Sequence, residues 1–410
     1  MNAVDGGVTA PAGFRASGVR AGIKPSSKKE DCALIVSDAP AAVAGVFTRN
    51  LMRSACVEWD IERCRAGHAR AYFINSGNAN AATGAPGAAD VRATAGMVAE
   101  GLGLAADEVC ISSTGVIGVP LPMDRIAEGV KGCIAALPDA DAADDARASG
   151  GADAARAIMT TDTVPKEMAV EVALSAGTVR IGAIAKGAGM IAPNMATMIC
   201  AITTDAAVEP KPLADLVYRA ATVSFNQMCV DNDTSTSDTV LCLANGRAGV
   251  GPLEPGSADF EAFAEAFIAV CRETAKNLVR DGEGASKFVE IVVSGAASDG
   301  DAKTVARAVA VSQLCKTAFF GEDPNWGRFA CAAGYAGVAF EPGRLAMWID
   351  EVQLMAGGQA AEYREEDAAA VMQRPEFQLR IEIGDGPGRA EFWTSDLSHE
   401  YVTINADYRT

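Results

Sequence analysis

The chain has 410 residues, of which 49 % are hydrophobic, 21 % are charged and 41 are glycine. This composition excludes a disordered chain, and the length favours two domains or one elaborate domain. The formal net charge of −18 repels nucleic-acid phosphates and anionic lipids, so no nucleic acid and no membrane are expected as partners. The same charge makes a small molecule the expected substrate. A cytoplasmic location is expected, because the N-terminus has no apolar signal region and no apolar run has a membrane-spanning character.

Short apolar runs alternate with alanine-rich amphipathic segments along the chain, which is typical of α/β proteins. The predicted strands are 33–38, 69–75, 169–174, 179–185, 289–295 and 377–383. The predicted helices are 90–103, 123–137, 213–228, 259–281 and 304–320. Residues 138–157 lack apolar periodicity and carry acidic and small side chains, so they predict a solvated helix and loop, with an acidic recognition site as the alternative.

The sequence shows no clustered metal ligands and only two histidines. The 11 cysteines include no C-x-x-C pair and are expected to be small hydrophobic residues in a reducing compartment rather than zinc ligands. The two histidines, His68 and His399, are expected at surface or capping positions. The sequence contains no phosphate-binding loop, no G-x-S-x-G and no H-E-x-x-H, and no metal or other cofactor is expected.

A hydroxyl nucleophile does not need a histidine if its own α-amino group, freed by cleavage of the chain, serves as the base. The pKa of an α-amino group, about 7.7–8, suits this role at neutral pH. Thr197 fits the requirement, since the small residue Ala196 precedes it and Pro193-Asn194 favours a tight turn. From the residues alone, Thr197 is either such a nucleophile or a hydrogen-bonded residue of a buried turn.

Ten distinctive sequence blocks are distributed over nearly the whole chain. The blocks are GGVTAPAGFRASGVRAGIK (6–24), AGVFTRN (44–50), NSGNANAATG (75–84), SSTGVIG (112–118), MTTDTVPK (159–166), KGAGMIAPNMATM (186–198), DNDTSTSD (231–238), DGEGASKF (281–288), GEDPNWGR (321–328) and DLSHEYVTINADYRT (396–410). In this order they resemble the ornithine acetyltransferase family of arginine biosynthesis, also called bifunctional glutamate N-acetyltransferase. The chain departs from the family pattern at Ala188, where Ser is usual, and at Ala192, where His is usual. Both departures leave the nucleophile in place.

The resemblance implies an N-terminal-nucleophile-like α/β sandwich of the ornithine acetyltransferase and L-aminopeptidase/D-esterase type, with two domains. It implies self-cleavage between Ala196 and Thr197 into an α chain, 1–196, and a β chain, 197–410, which pair as α2β2. The acetyl group of N2-acetyl-L-ornithine would pass to Thr197 and then to L-glutamate in a ping-pong reaction. Bifunctional members of the family also take acetyl from acetyl-CoA, and the chain is expected to be either monofunctional or bifunctional.

The family also assigns roles to particular positions. Thr114 and Gly115 match its oxyanion-hole pair, which stabilises the negative oxygen of each tetrahedral intermediate. The positions that match its substrate-binding residues are Thr160, Lys186, Thr197, Glu283, Asn405 and Thr410. Lys186 would pair with a carboxylate and Glu283 with an ammonium group. The alternatives are an N-terminal-nucleophile aminopeptidase or amidohydrolase, and an uncleaved amino-acid-binding relative.

Overall fold

A computed structural model describes residues 1–24, 28–192 and 198–407. These residues form two β-sheets with helices packed against them. The strands are β1 (Asn2–Ala3), β2 (Phe14–Val19), β3 (Cys32–Phe47), β4 (His68–Asn78), β5 (Val109–Val116), β6 (Lys166–Leu174), β7 (Gly177–Lys186), β8 (Ile199–Thr204), β9 (Met228–Cys229), β10 (Thr239–Ala244), β11 (Phe288–Gly295), β12 (Ala346–Ile349), β13 (Val352–Ala356), β14 (Gln359–Ala360), β15 (Glu376–Glu382) and β16 (Gly386–Ser395). The helices are α1 (Ala55–Ala66), α2 (Gly84–Leu102), α3 (Met123–Ala136), α4 (Asp144–Ala157), α5 (Pro210–Thr222), α6 (Ala258–Arg280), α7 (Asp299–Ala310), α8 (Gln313–Phe320), α9 (Trp326–Gly334), α10 (Glu365–Met372) and α11 (His399–Asp407).

The first sheet has the order β1, β6, β7, β8, β10, β3, β4, β5, with β2 paired to β3. Its centre is the parallel pair β8 and β10, and every residue of both strands is buried. Cys200 and Ile202 of β8 belong to the core on one face of the sheet, whereas Ile199 and Ala201 belong to the core on the other. Burial on both faces explains why these strands read as nearly continuous apolar runs instead of alternating ones.

Helices cover both faces of the first sheet. The core on one face is completed by α5 and α6, and the core on the other face by α4 and β2. A third core lies between β3, β4, β5 and the helices α1, α2 and α3. The second sheet, in the order β14, β13, β12, β15, β11, β16, β9, packs against α7, α8, α9 and α10 around a core of its own. The predicted α/β class is confirmed.

Helix α6 joins the two sheets. It packs on β6 and β7 of the first sheet and also contacts β16 of the second. Trp393 of β16 is fully buried in the core that α6 completes, beside Phe288 of β11. Its indole N–H donates to the carboxylate of Glu290 at 3.0 Å, so the large ring is buried without an unpaired polar group.

Most elements predicted from the sequence are present. The six predicted strands lie within or overlap β3, β4, β6, β7, β11 and β15, and the helices predicted at 90–103, 123–137 and 259–281 correspond to α2, α3 and α6. No helix among the described residues is long and apolar enough to cross a membrane. Of the 11 free cysteines nine are buried, as expected of small hydrophobic residues, whereas Cys64 is half-buried and Cys331 is exposed.

Two of the predicted helices were too long. The helix predicted at 304–320 is wrong as a single element, because α7 ends at Ala310 and the side chain of Ser312 then caps α8 by accepting from the N–H of Cys315. The helix predicted at 213–228 begins at Pro210 and ends at Thr222. The hydroxyl of Ser224 donates to the carbonyl of Ala220 at 2.6 Å, a local bond that competes with continuation of the helix.

The acidic segment is only partly solvated. Its acidic residues Asp144 and Asp145 are exposed, as predicted, but α4 buries a face of small residues against β2. A Cβ atom on Gly150 would lie 2.1 Å from the carbonyl oxygen of Ala16. The small residues therefore serve close packing of a helix on a strand, which the prediction of a wholly solvated surface missed.

The predicted division into residues 1–196 and 197–410 does not coincide with the division into sheets. β8 and β10 follow residue 196, yet they lie in the first sheet between β7 and β3, which precede it. The two segments thus share one sheet, and a cut at Ala196–Thr197 would leave them joined by its backbone hydrogen bonds. The division remains a prediction about chain processing, and both residues of the bond lie outside the described part of the chain.

Candidate active site

One cavity brings together the described residues that the sequence assigned to the site. Its walls include Thr114, Gly115, Thr160, Lys186, Glu283 and Asn405, which come from five separate parts of the chain. The other lining residues are Ala79, Ile117, Thr161, Gly189, Met190, Ser235, Thr236 and Ser237. The cavity encloses about 570 Å³ when its open mouth is counted. The remaining predicted residues, Ala196, Thr197 and Thr410, lie outside the described residues.

The predicted oxyanion pair lies at the end of β5, where that strand runs parallel to β4. In this register Thr114 faces Ser76 and Gly115 faces Gly77. Gly115 has φ of 128°, and a Cβ atom there would lie 2.4 Å from the backbone carbon of Gly77. Only glycine fits, because both the backbone conformation and the close approach of the two strands exclude a side chain. The backbone of Gly115 therefore forms part of the cavity wall, next to the hydroxyl of Thr114.

Lys186, the last residue of β7, supplies a buried cation. Its side chain is only 2 % exposed, and Nζ donates to the hydroxyl of Thr114 at 3.4 Å. Burial lowers the pKa of Lys186, while the nearby carboxylate of Asp162 raises it. A carboxylate ligand next to Lys186 would therefore meet a poorly hydrated ammonium group, for which an ionic hydrogen bond is strong.

Asp162 holds this part of the site together, although the sequence assigned it no role. Its carboxylate accepts from the N–H of Thr160 at 2.9 Å, the N–H of Gly187 at 2.7 Å and Nζ of Lys166 at 2.6 Å. Burial raises the pKa of Asp162, but Lys166, Lys186 and the Gly187 N–H outweigh burial and bring the pKa down to about 2. Asp162, which is charged at neutral pH, thus fixes the segments that carry Thr160 and Lys186.

Glu283 and Asn405 form the anionic wall of the cavity. Asn405, on the C-terminal helix α11, donates through Nδ2 to Oε2 of Glu283 at 2.8 Å. The backbone N–H of Glu283 donates to the carbonyl of Ala188 at 2.8 Å. A Cβ atom on Gly189 would lie 2.3 Å from Oε2 of Glu283, so a side chain at this position would displace the carboxylate that packs on the KGAG segment. Asn405 thus brings part of the C-terminal segment to the cavity wall, and its substrate-binding role stays a prediction.

Two aspartates of the DNDTSTSD block support the chain on either side of residues 193–197. Asp231 accepts from the N–H groups of Met190 and Ile191, at 2.5 and 2.8 Å, and from the Tyr401 hydroxyl at 3.2 Å. Asp238 is fully buried and accepts from the N–H of Met198 at 3.1 Å. Burial raises the pKa of Asp238 well above its ordinary range. The sequence marks this block, but the roles of its two aspartates depend on contacts with positions some 40 residues away.

Two further expectations concern histidine and metal. His68 begins β4 and His399 begins α11, both are exposed, and neither lines the cavity, so their predicted surface positions are confirmed. Within residues 1–24, 28–192 and 198–407, no group of three or more His, Cys, Asp or Glu side chains is placed to hold a metal ion. The described walls of the cavity offer hydroxyl, ammonium, carboxylate and amide groups, the types suited to binding an amino acid.

Comparison with known proteins decides the family. The family model described as the ArgJ family matches residues 15–410. The chain belongs to the ArgJ family. An ArgJ relative from Symbiobacterium thermophilum, the arginine biosynthesis bifunctional protein ArgJ, is 48 % identical over 100 % of both chains. Another from Geobacter sulfurreducens is 49 % identical over 97 % of this chain and 99 % of its own.

A solved ArgJ structure from Bacillus halodurans is 35 % identical and covers 50 % of this chain and 97 % of its own, with a TM-score of 0.49. The family resemblance noted in the sequence is confirmed, and with it the expectation that this ArgJ chain is an acetyltransferase-family enzyme of arginine biosynthesis. The roles of individual site residues stay predictions.

Proposed function

We propose that the chain transfers the acetyl group of N2-acetyl-L-ornithine to L-glutamate, giving L-ornithine and N-acetyl-L-glutamate. The observation that carries the proposal is the single cavity lined by Thr114, Gly115, Thr160, Lys186, Glu283 and Asn405. These residues come from both sides of the Ala196–Thr197 bond, and the described chain beside that bond, at Ala192 and Met198, is buried. Membership of the ArgJ family supports the same reaction.

Self-cleavage would prepare the nucleophile. The Thr197 hydroxyl oxygen attacks the Ala196 carbonyl carbon, the peptide C–N bond breaks, and the Thr197 nitrogen takes the hydroxyl proton. Water then hydrolyses the ester, which frees the Ala196 carboxylate and restores the Thr197 hydroxyl. The new α-amino group of Thr197, with an ordinary pKa near ~7.7–8, becomes the base for transfer.

Acetyl transfer follows in two half-reactions. The Thr197 oxygen attacks the acetyl carbonyl of N-acetylornithine, the amide C–N bond breaks, and the leaving nitrogen takes the hydroxyl proton through the Thr197 amine. Ornithine leaves, and the amine of glutamate attacks the acetyl ester to give N-acetylglutamate and the free hydroxyl. In each step the negative oxygen of the tetrahedral intermediate would be stabilised by the Thr114 hydroxyl and the Gly115 backbone.

The charged walls suit the two substrates. Lys186 would pair with the α-carboxylate that ornithine and glutamate share, and Glu283 with the ornithine ammonium group. Thr160, Asn405 and Thr410 would add hydrogen bonds, and Thr197 itself completes the substrate-binding set. The curated relatives are called bifunctional, which supports a second donor reaction from acetyl-CoA. We expect the α and β chains to assemble as α2β2 in the cytoplasm, without a bound cofactor.

The test combines a denaturing gel with two assays. The proposal predicts two bands that replace the 42.1 kDa precursor, and N-acetylglutamate formed from glutamate and N-acetylornithine. Acetyl-CoA in place of N-acetylornithine tests the second donor. Two bands with acetate but no N-acetylglutamate would favour an amidohydrolase, and one uncut band with amino-acid binding would favour the non-catalytic alternative. Either result contradicts the proposal.

A further inference from the structure

Three consecutive hydroxyl residues line the cavity beside the charged walls. Ser235, Thr236 and Ser237 are each less than one-tenth exposed, and none of them belongs to the substrate-binding set described above. They lie in the DNDTSTSD block between Asp231 and Asp238, whose carboxylates hold the chain on either side of residues 193–197. The position of the three hydroxyls is therefore fixed relative to the rest of the site.

The backbone of this segment is bound by a neighbouring loop, residues 48–54. The Thr48 hydroxyl donates to the carbonyl of Ser235 at 2.8 Å, and the Ser54 N–H donates to the carbonyl of Thr236 at 2.8 Å. The Thr48 N–H donates to the carbonyl of Asp238 at 3.0 Å. Because this loop binds three backbone carbonyls of the segment, the backbone is held in place. The hydroxyl side chains of the segment are not used in these bonds.

The three hydroxyls differ in their partners. Ser235 and Ser237 have their Oγ atoms 3.4 Å apart, and the Ser237 N–H donates to the Ser235 hydroxyl at 3.2 Å. The Thr236 hydroxyl oxygen is buried and makes no hydrogen bond with any described residue. Buried hydroxyls are nearly always paired, since an unpaired one loses its bonds to water without replacement. Because Thr236 lines the cavity, its unpaired hydroxyl is available to a bound ligand.

We propose that Thr236 is a further substrate-contacting residue, whose hydroxyl hydrogen-bonds the amino acid bound in the cavity. The inference rests on the proposed function, which makes the site alternate between ornithine and glutamate. A fixed charge that attracts the ornithine ammonium repels the glutamate side-chain carboxylate. A hydroxyl both donates and accepts, so the same side chain serves either ligand.

The experiment compares Thr236→Val with Thr236→Ser and with the control Thr203→Val. Valine has nearly the shape of threonine and removes only the hydroxyl, whereas serine keeps it. Thr203 is also buried, in β8, is not among the residues that line the cavity, and donates to the carbonyl of Val8 at 2.8 Å. Dissociation constants for ornithine and for glutamate are measured by calorimetry in the absence of an acetyl donor, and the Tm of each variant is measured by calorimetric scanning.

For Thr236→Val we expect both dissociation constants to rise about tenfold, the loss of one ligand hydrogen bond, with a Tm equal to or above that of the wild type. Thr236→Ser should restore most of the affinity. Thr203→Val should show the opposite pattern, with a lower Tm and unchanged dissociation constants, because it breaks an internal bond. A purely structural role for Thr236 predicts that its valine variant behaves like Thr203→Val.

The outcomes separate the two proposals. If the wild type transfers acetyl and Thr236→Val binds both ligands as tightly as the wild type, the role of Thr236 is overturned while the proposed function stands. A Thr236→Ser variant as weak as Thr236→Val also overturns it. If the wild type neither transfers acetyl nor binds ornithine or glutamate, the proposed function fails and the role of Thr236 fails with it.

Discussion

Replacement of Asp162 by asparagine tests the electrostatic framework of the site. Asp162 is buried between two buried ammonium groups, Lys166 and Lys186, and its carboxylate also accepts the N–H of Gly187. Asparagine has nearly the same shape but no charge. The change therefore leaves the packing in place and removes a negative charge that, against the effect of burial, raises the pKa of Lys186.

The magnitude follows from the pKa of Asp162, which falls from an ordinary value of 3.8 to about 2. Such a difference between unfolded and folded chain corresponds to about 2 to 3 kcal/mol of stability. Because the folded-state pKa is the lower one, this stability is fully present above pH ~4 and is lost as the pH falls from ~4 to ~2. We therefore expect Asp162→Asn to lower the free energy of unfolding at pH 7 by at least about 2 kcal/mol.

The assay is urea unfolding of the wild type and of Asp162→Asn between about pH 3 and pH 7. This range runs from neutral pH into the region where carboxyl groups titrate. The difference in unfolding free energy should be constant near neutral pH and shrink at the acid end. Asp141→Asn is the control, since Asp141 is exposed and the variant makes the same charge change. A difference below about 0.5 kcal/mol, as expected for a surface site, would refute this account of Asp162.

Four further variants test the walls and the nucleophile. Gly115→Ala should cost more than about 2 kcal/mol of stability, because its Cβ would lie 2.4 Å from the backbone carbon of Gly77 at φ of 128°, and a urea midpoint equal to that of the wild type would contradict this. Gly189→Ala should raise KM for N-acetylornithine about tenfold by displacing the Glu283 carboxylate, with little change in Tm, and an unchanged KM would show that the carboxylate tolerates the methyl group. Glu283→Gln should weaken turnover of N-acetylornithine much more than it weakens folding, and steady-state rates equal to those of the wild type would remove this carboxylate from the site. Thr197→Ala should give one band at 42.1 kDa and no transfer, whereas a processed, active variant would contradict the nucleophile assignment.

Local elements of the fold could be predicted because their patterns are local. The apolar periodicity of residues 259–281 predicts α6 within one residue of its ends, since the helix buries one continuous face. The order of strands in the first sheet could not be obtained in this way. β8 and β10 follow both β3 and β7 in the chain but lie between them in the sheet, and nothing in their own apolar runs specifies those neighbours.

Helix ends depended on single polar residues. The apolar pattern continues from α7 into α8 across Val311, so periodicity alone predicts one helix. Ser312 ends that continuity because its backbone is extended and its side chain caps α8. In the same way the composition of α4 predicts an acidic surface, whereas the lack of a side chain at Gly150 permits close contact with Ala16 of β2.

The walls of the site were predicted by resemblance and not by spacing. Lys186, Glu283 and Asn405 are far apart in the sequence, and only the folded chain brings them to one cavity. Asp162 and Thr236 were within recognised blocks but had no predicted role. The role of Asp162 depends on the N–H of Gly187, and that of Thr236 on the absence of a partner among the described residues, which are properties of three-dimensional contacts.

The central claim, acetyl transfer through Thr197, is tested most directly by the intact mass of the protein during the reaction. The purified enzyme is incubated with N-acetylornithine alone, and its chains are separated and weighed. We predict that the chain beginning at Thr197 gains the mass of one acetyl group, carried on that residue, and loses it as N-acetylglutamate when glutamate is added. Transfer that proceeds with no acetylated chain, or with the acetyl group on another residue, would contradict the account.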